Sequence, residues 1–485
     1  MADPRRRPIR IQNASSKLGR DTRLPPGHDE EGPERPSPTL LAMSRWVRLG
    51  VPLLLVAVVA AAAFGTLLFD TPFPTGAPPG GSPGPSGSSG ATQPTIEPSP
   101  TPVPPVGGTD LYGYLPYWLM TEADAAYLDE VPLSTLEMFS VSARRNGAID
   151  IRSAGYKRIV GALGRRIITD AKARGTRVEL VFSSFGGPKN GVFFGRLPPS
   201  TPAPSASAGS SPPPSPSPVP SPSPFPSWPA TEAPWHRTVG ELVALALDLG
   251  VNGINVDVEQ LDELDRDAYG EFLGALGSAL RSARRDATLS VATEAGLRGM
   301  GNAVAAVDAG VDRVFLMGYD YHWSGSQPGA SSPVDRSDGQ ATLRWSIEQY
   351  VTSGVPRDRI VLGLPLYGMS WRTTGPDRTT PVLGRGSTWV LSQHRDVLLD
   401  PAFTPELDPL EIGQYFIRQD GDAWRVTYYD SPGTLRAKLA LARDQGLAGG
   451  GFWAIGYERG LPGYVELMRD FRAGHVDRRE APPPP

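Results

Sequence analysis

The chain has 485 residues, a formal net charge of −4, 53 Pro, 55 Gly and no Cys. The absence of Cys excludes disulfides and thiolate metal sites. The near-neutral charge balance carries no nucleic-acid footprint, and the length suits one large domain or two ordinary ones.

Residues 1–48 are rich in Pro, Arg and acidic groups with little periodicity, and are expected to be a disordered cytoplasmic segment. Gly50–Phe69 then runs 20 residues without a charge, which is about the length a helix needs to span a bilayer. Arg45 and Arg48 precede this run, and no Lys or Arg follows until Arg144. That asymmetry predicts a single transmembrane helix over residues 49–69, with everything after Asp70 outside the cell membrane. A cleaved signal peptide starting at Met43 is the alternative, giving a secreted protein. Residues 70–108 are Pro/Gly/Ser-rich and are expected to form a tether; partly polyproline-like chain at ~3.1 Å per residue reaches at most about 120 Å.

From Asp110 onward, apolar strand-like runs alternate with helical ones. The strand candidates are Leu111–Trp118, Leu136–Ala143, Arg177–Phe185, Val251–Gln260, Thr288–Glu294, Arg313–Tyr321, Ile360–Tyr367 and Ala448–Ile455. Eight strands alternating with helices imply an α/β fold, a closed (β/α)8 TIM barrel over 109–474. Two insertions interrupt it. Residues 197–234 form a second Pro/Ser-rich stretch, expected to be disordered. Residues 371–434 suggest a small α+β insertion between strands seven and eight, with a hairpin turning at Asp420-Gly421-Asp422. Residues 475–485 are expected to be an unstructured tail.

The chemistry concentrates at strand ends. In Val251–Gln260, aliphatic Ile254, Val256 and Val258 alternate with Asn255, Asp257 and Glu259, so the polar groups share one face. Three inward-facing polar groups in a buried strand would be costly without a function. Strand six ends Met317-Gly318-Tyr319-Asp320, strand one carries Tyr114, strand seven ends near Tyr367 with Trp371 beyond, and strand eight ends at Trp453. Carboxylates and aromatics thus gather at the C-terminal rim, where barrels of this kind place their active sites. The five His (His28, His236, His322, His394, His475) include no i,i+4 pair, so no metal site is expected.

Asn252-Gly253-Ile254-Asn255-Val256-Asp257-Val258-Glu259, Met317-Gly318-Tyr319-Asp320 and Trp453 occur in that order. Together they resemble the strand-four, strand-six and strand-eight motifs of glycoside hydrolase family 18, the chitinase-like family, over about Asp110–Arg472. Within it, the strand-four sequence is similar to the cell-wall and spore-cortex N-acetylglucosaminidases and to di-N-acetylchitobiase, as is the region Tyr428-Tyr429-Asp430…Lys438. The resemblance implies a glycosidase cleaving β-1,4 bonds of N-acetylglucosamine-containing glycans, chitin-like or peptidoglycan, by substrate-assisted retaining catalysis.

It further implies that Glu259 is acid and base, Asp257 the partner of the substrate acetamido group and Tyr319 its positioning residue. Asn255, Met317, Asp320, Trp453, Tyr114 and Tyr367 would bind the sugar, with no cofactor, as a monomer. Asn255 stands where the family's common pattern has Asp. The expectation is that Asn255, unable to share a proton, leaves Asp257 charged and so keeps Glu259 protonated. Because of Asn255, a catalytically weak or silent carbohydrate-binding relative displayed on the cell surface is the alternative reading.

Overall fold

A computed structural model describes residues 108–196 and 233–476. The expected segment 1–48, the apolar span 49–69, most of the tether, residues 197–232 of the first insertion and the tail from 477 lie outside the described residues. Among the described residues, no helix is long and apolar enough to cross a membrane.

Eight parallel strands close the barrel. In chain order they begin β1 (Asp110–Pro116), β2 (Thr135–Val141), β3 (Arg177–Phe185), β4 (Gly253–Glu259), β5 (Thr288–Glu294), β6 (Arg313–Met317) and β7 (Ile360–Pro365). A second sheet follows, made of β8 (Tyr367–Thr373), β9 (Ser387–Val390), β10 (Glu406–Asp408), β11 (Gly413–Asp420) and β12 (Ala423–Tyr429), and then β13 (Gly449–Trp453) returns to close the barrel between β7 and β1. The TIM barrel expected from the alternating pattern is therefore observed, and every strand lies within three residues of its sequence-derived start.

Three expectations need correction. The second sheet begins at Tyr367, not at residue 371, so Tyr367 belongs to β8 rather than to the end of a barrel strand. Trp371 is fully buried inside that second sheet, in a cluster with Met369, Val426 and Tyr428, and is not a rim platform. At the C-terminus, Val476 is buried in the main core, so the packed chain runs past the expected boundary at 474. The hairpin is as expected: β11 and β12 pair antiparallel up to Asp420↔Ala423, leaving Gly421 and Asp422 as the two-residue turn. Gly421 has φ +67°, the left-handed conformation such a turn requires.

Strand alternation produces two separate cores. Ile254, Val256 and Val258 face outward under the helices and join the large helix–sheet core. The opposite faces of the strands fill the barrel with Tyr112, Tyr114, Phe139, Val181, Ala292 and Phe315. Phe315 fits because Gly363 and Gly451 flank it; a Cβ on either would fall 2.4 Å and 2.6 Å from its ring atoms. The barrel is thus packed with side chains and is not a pore.

Candidate active site

β4 delivers the polar row. Asn255 is fully buried and Asp257 is 4% exposed, while Glu259, the last strand residue, is half-buried at the rim. Asn255 pairs in register with Ser290 of β5, and Asp257 with Ser183 of β3. The polar row therefore points into the barrel mouth, as its alternation predicts.

Glu259 is held through its backbone. Asn190, from the helix Gly187–Phe193, donates from Nδ2 to the Glu259 carbonyl at 2.6 Å, and its Oδ1 accepts from Ser184 Oγ at 2.8 Å. The next residue, Gln260, has φ +58°. Its N–H donates to Glu294 Oε1 at 2.7 Å. Glu294 ends β5 and places a third carboxylate beside the pair on β4.

The electrostatics follow from burial. Desolvation pushes Asp257 up to about 8, with Glu294 adding to the rise. Glu259 is pushed well above the carboxylate range, first by burial, then by Asp257, Glu294 and Asp320. A charged Asp257 was the sequence expectation, and the structure corrects it. Asn255 does not hold Asp257 ionised, because desolvation and a neighbouring carboxylate both disfavour its charge. Like-charge proximity does act on Glu259, but second to burial.

β6 ends at Met317, four residues earlier than expected, and the chain turns there. Tyr319 lies beyond the strand, and Asp320 adopts φ +60°, a conformation Asp tolerates better than most residues. Asp320 Oδ1 accepts from Tyr367 Oη at 2.6 Å, and its N–H donates to Ser331 Oγ at 3.0 Å. Burial raises Asp320 to about 6 despite these bonds. The Tyr319 and Tyr367 rings meet edge to face, centroids 6.2 Å apart.

Trp453 ends β13 among aromatics of β1, β2 and the turn that follows β1. Its ring lies 4.7 Å from Phe139, 5.8 Å from Tyr114 and 6.3 Å from Trp118, centroid to centroid. Peptide bonds Phe139–Ser140 and Trp453–Ala454 are both cis. Met317, Tyr319 and Trp453 all pack against the aromatic barrel interior with Tyr114.

The structure thus brings Tyr114, Asn255, Asp257, Glu259, Met317, Tyr319, Asp320, Tyr367 and Trp453 to one barrel mouth. Sequence reasoning missed Glu294, Asn190, Ser184 and Ser331. Glu294 was visible as a carboxylate ending an apolar strand, the same signal that singled out Glu259. Asn190 lies in a seven-residue helix and Ser331 in an irregular segment, and neither carries a periodicity that marks it.

Residues 224–458 match the family model for glycosyl hydrolases family 18. Over those residues the barrel is similar to that family. Family 18 barrels are built as this one is, and a solved family 18 chitinase from Cycas revoluta in complex with (GlcNAc)3 superposes with a TM-score of 0.57 at 17% identity, over 75% of this chain and 98% of that one. By sequence, the cortical fragment-lytic enzyme of Bacillus anthracis is 26% identical over 227 residues, 46% of this chain and 50% of that protein. Endochitinase 1 of Metarhizium robertsii is 28% identical over 276 residues, 53% of this chain and 63% of its own length. The chain therefore spans between half and two thirds of the length of these relatives.

Proposed function

We propose that the protein is a glycosidase that cleaves β-1,4 bonds next to N-acetylglucosamine in chitin-like or peptidoglycan glycans, with the substrate's acetamido group as nucleophile. The observation that carries this reading is the placement of Glu259, its carboxyl raised by desolvation, beside Asp257 and Tyr319 at an aromatic-lined barrel mouth. The match of residues 224–458 to the family 18 model and the names of similar proteins, a cortical fragment-lytic enzyme and an endochitinase, support it.

Glu259, held neutral by desolvation, donates its proton to the glycosidic oxygen as the bond to C1 breaks. The acetamido carbonyl oxygen attacks C1, giving an oxazolinium ion and releasing the leaving sugar as an alcohol. Asp257 accepts a hydrogen bond from the acetamido N–H, whose growing positive charge favours the ionised carboxylate. Tyr319 donates to the acetamido oxygen and holds it in line. Glu259, now a carboxylate, takes a proton from the water that opens the oxazolinium ion, and the enzyme is restored. Asp320, fixed by Tyr367 and Ser331, accepts from sugar hydroxyls, and Trp453 supplies an apolar face for the ring. The protein acts as a monomer without a cofactor, and the apolar segment 49–69 carries the barrel to the outer side of a membrane or directs its secretion.

The test is incubation of the purified protein with peptidoglycan, with chitooligosaccharides and with de-N-acetylated oligosaccharides of equal length, beside Glu259→Gln. Reducing ends are expected from acetylated glycans only, and to disappear in the variant. Binding without release in the parent protein would replace the enzyme with a carbohydrate-binding protein. Equal cleavage of de-N-acetylated glycan would remove the acetamido nucleophile.

A further inference from the structure

Beneath the polar row of β4 lies a second pair of carboxylates that the reaction does not use. Glu137 of β2 and Glu179 of β3 are register partners on the barrel floor, both essentially unexposed. Glu179 accepts hydroxyl hydrogens from Thr288 at Oε1 (2.5 Å) and from Ser290 at Oε2. Glu137 receives no hydrogen from any donor among the described residues. Two buried carboxylates in contact cannot both ionise. Burial raises both carboxyls; Glu179 adds to the rise at Glu137, whereas the Ser290 and Thr288 hydroxyls oppose it at Glu179, so of the two Glu179 is the better placed to carry a charge and Glu137 to keep a proton.

That assignment fixes every donor above it. Ser290 spends its hydrogen on Glu179, so its Oγ can only accept. Its partner is Asn255 Nδ2 at 2.8 Å. Asn255 Oδ1 is therefore turned the other way, buried and without a partner, on the strand face it shares with Asp257, whose Oδ1 is likewise buried and unpartnered. Gly253 makes the chain of bonds possible. A Cβ there would lie 2.3 Å from the Thr288 carbonyl oxygen and 2.4 Å from its Oγ1, pushing away the hydroxyl that anchors Glu179.

We propose that Glu179 is a positioning residue for the catalytic row: acting through Ser290, it locks the Asn255 amide so that Asp257 is offered an acceptor and never a donor. An acceptor at that point suits only the protonated Asp257 carboxyl. The lock thus favours a proton on Asp257 until substrate arrives, the task a second carboxylate at position 255 could perform by sharing a proton directly. The other groups facing Asp257 are Glu259 on its own strand, Glu294 from β5, Tyr114 from β1, Tyr319 after β6 and Tyr269 from the helix Arg266–Ala283. The floor pair itself faces Tyr112 and Tyr114 of β1, with Arg177 near Glu179. The inference uses the proposed role of Asp257 but is tested without turnover.

The experiment is a pH titration of Asp257 in the full ligand-free chain by NMR with aspartate labelled at 13Cγ, its signal identified by its loss in Asp257→Asn. Ser290→Ala frees the amide to rotate and offer Nδ2, so the midpoint should fall by about one pH unit, the equivalent of an ordinary hydrogen bond. Ser290→Thr keeps the hydroxyl and should restore the parent midpoint. Glu179→Gln should lower the midpoint in the parent background but not in Ser290→Ala, because the effect runs through that hydroxyl. An unchanged midpoint in Ser290→Ala, or equal shifts from Glu179→Gln in both backgrounds, overturns the lock and leaves the floor pair a purely structural element. Loss of reducing-end release in the parent protein would instead strike the proposed activity and leave this titration readable.

Discussion

Tyr367 donates a 2.6 Å hydrogen bond from its hydroxyl to Asp320 Oδ1, joining the first residue of the second sheet to the turn that follows β6. The bond links two parts of the chain 47 residues apart and gives the inserted sheet a direct hold on a substrate-facing carboxylate. It also opposes burial, which raises Asp320 to about 6. Tyr367→Phe removes that opposition, so Asp320 titrates at higher pH. The expected result is a KM raised roughly five- to tenfold with a smaller change in kcat, as for loss of one ordinary hydrogen bond of about 1 kcal/mol. The defect should be largest around pH 6 to 7, where the parent carboxyl is ionised and the variant's is not. Steady-state kinetics across that range checks it; a pH-independent loss would mean that Tyr367 touches the sugar without acting on Asp320.

The barrel was legible because its strands carry the signal twice. Apolar runs mark each strand, and the period-two alternation of Ile254, Val256 and Val258 against Asn255, Asp257 and Glu259 states which face turns inward. What sequence could not supply was the company each group keeps. Asp257 was expected to be charged because Asn255 cannot share its proton, yet its ionisation is set by desolvation and by Glu294 from the next strand. Those terms depend on distances between strands 30 or more residues apart. Tyr367 was placed at a strand end because it directly follows an apolar run; only the pairing of β8 with β9 and β12 reveals it as the start of another sheet.

The raised carboxyls make the site a liability at alkaline pH. Unfolded Asp and Glu titrate near about 4, whereas Asp257 titrates at about 8 and Glu259 well above its usual range in the folded protein. Between those values the native state binds more protons than the unfolded one, so stability falls as pH rises. Glu411 has the opposite sign. Burial disfavours its charge, but His322, the Ala330 N–H and Arg378 outweigh that and hold it down to about 2, so its contribution is present above about pH 4.5 and lost on acidification towards 2. Asp257→Asn and Glu259→Gln should therefore raise the melting temperature at pH 8 and raise it less at pH 5. Thermal unfolding at both values tests this; equal changes at the two would show that neither group carries the pH dependence.

Among the described residues, Asn190 is the one side chain that ties the Glu259 carbonyl to a neighbouring strand. Both its side-chain ends are used, Oδ1 on Ser184 and Nδ2 on the Glu259 carbonyl. Asn190→Ala leaves that carbonyl without this donor and Ser184 Oγ without its acceptor, and such losses cost about 1–3 kcal/mol each when buried. Stability should fall by that order in denaturant unfolding. The kcat should fall too, with KM nearly unchanged, because the displaced group is the acid rather than the sugar platform. A KM effect without a kcat effect would place Asn190 in substrate binding instead.

Glu294 offers the sharpest separation of charge from geometry. One oxygen accepts the Gln260 N–H and so holds the left-handed turn after Glu259, while the other is buried without a partner. Its charge raises both Asp257 and Glu259. Glu294→Gln keeps an acceptor for Gln260 and removes only the charge, so the fold and the turn should persist. The acid limb of kcat/KM, which follows ionisation of Asp257 in the free enzyme, should move to lower pH by up to about one unit. The alkaline limb should move the same way, since Glu259 also loses a like-charge neighbour. Glu294→Ala removes the acceptor as well and should cost stability and kcat beyond the shift. If Glu294→Gln leaves both limbs in place, the carboxylate serves the Gln260 turn alone, and Asp257 owes its high pKa to burial.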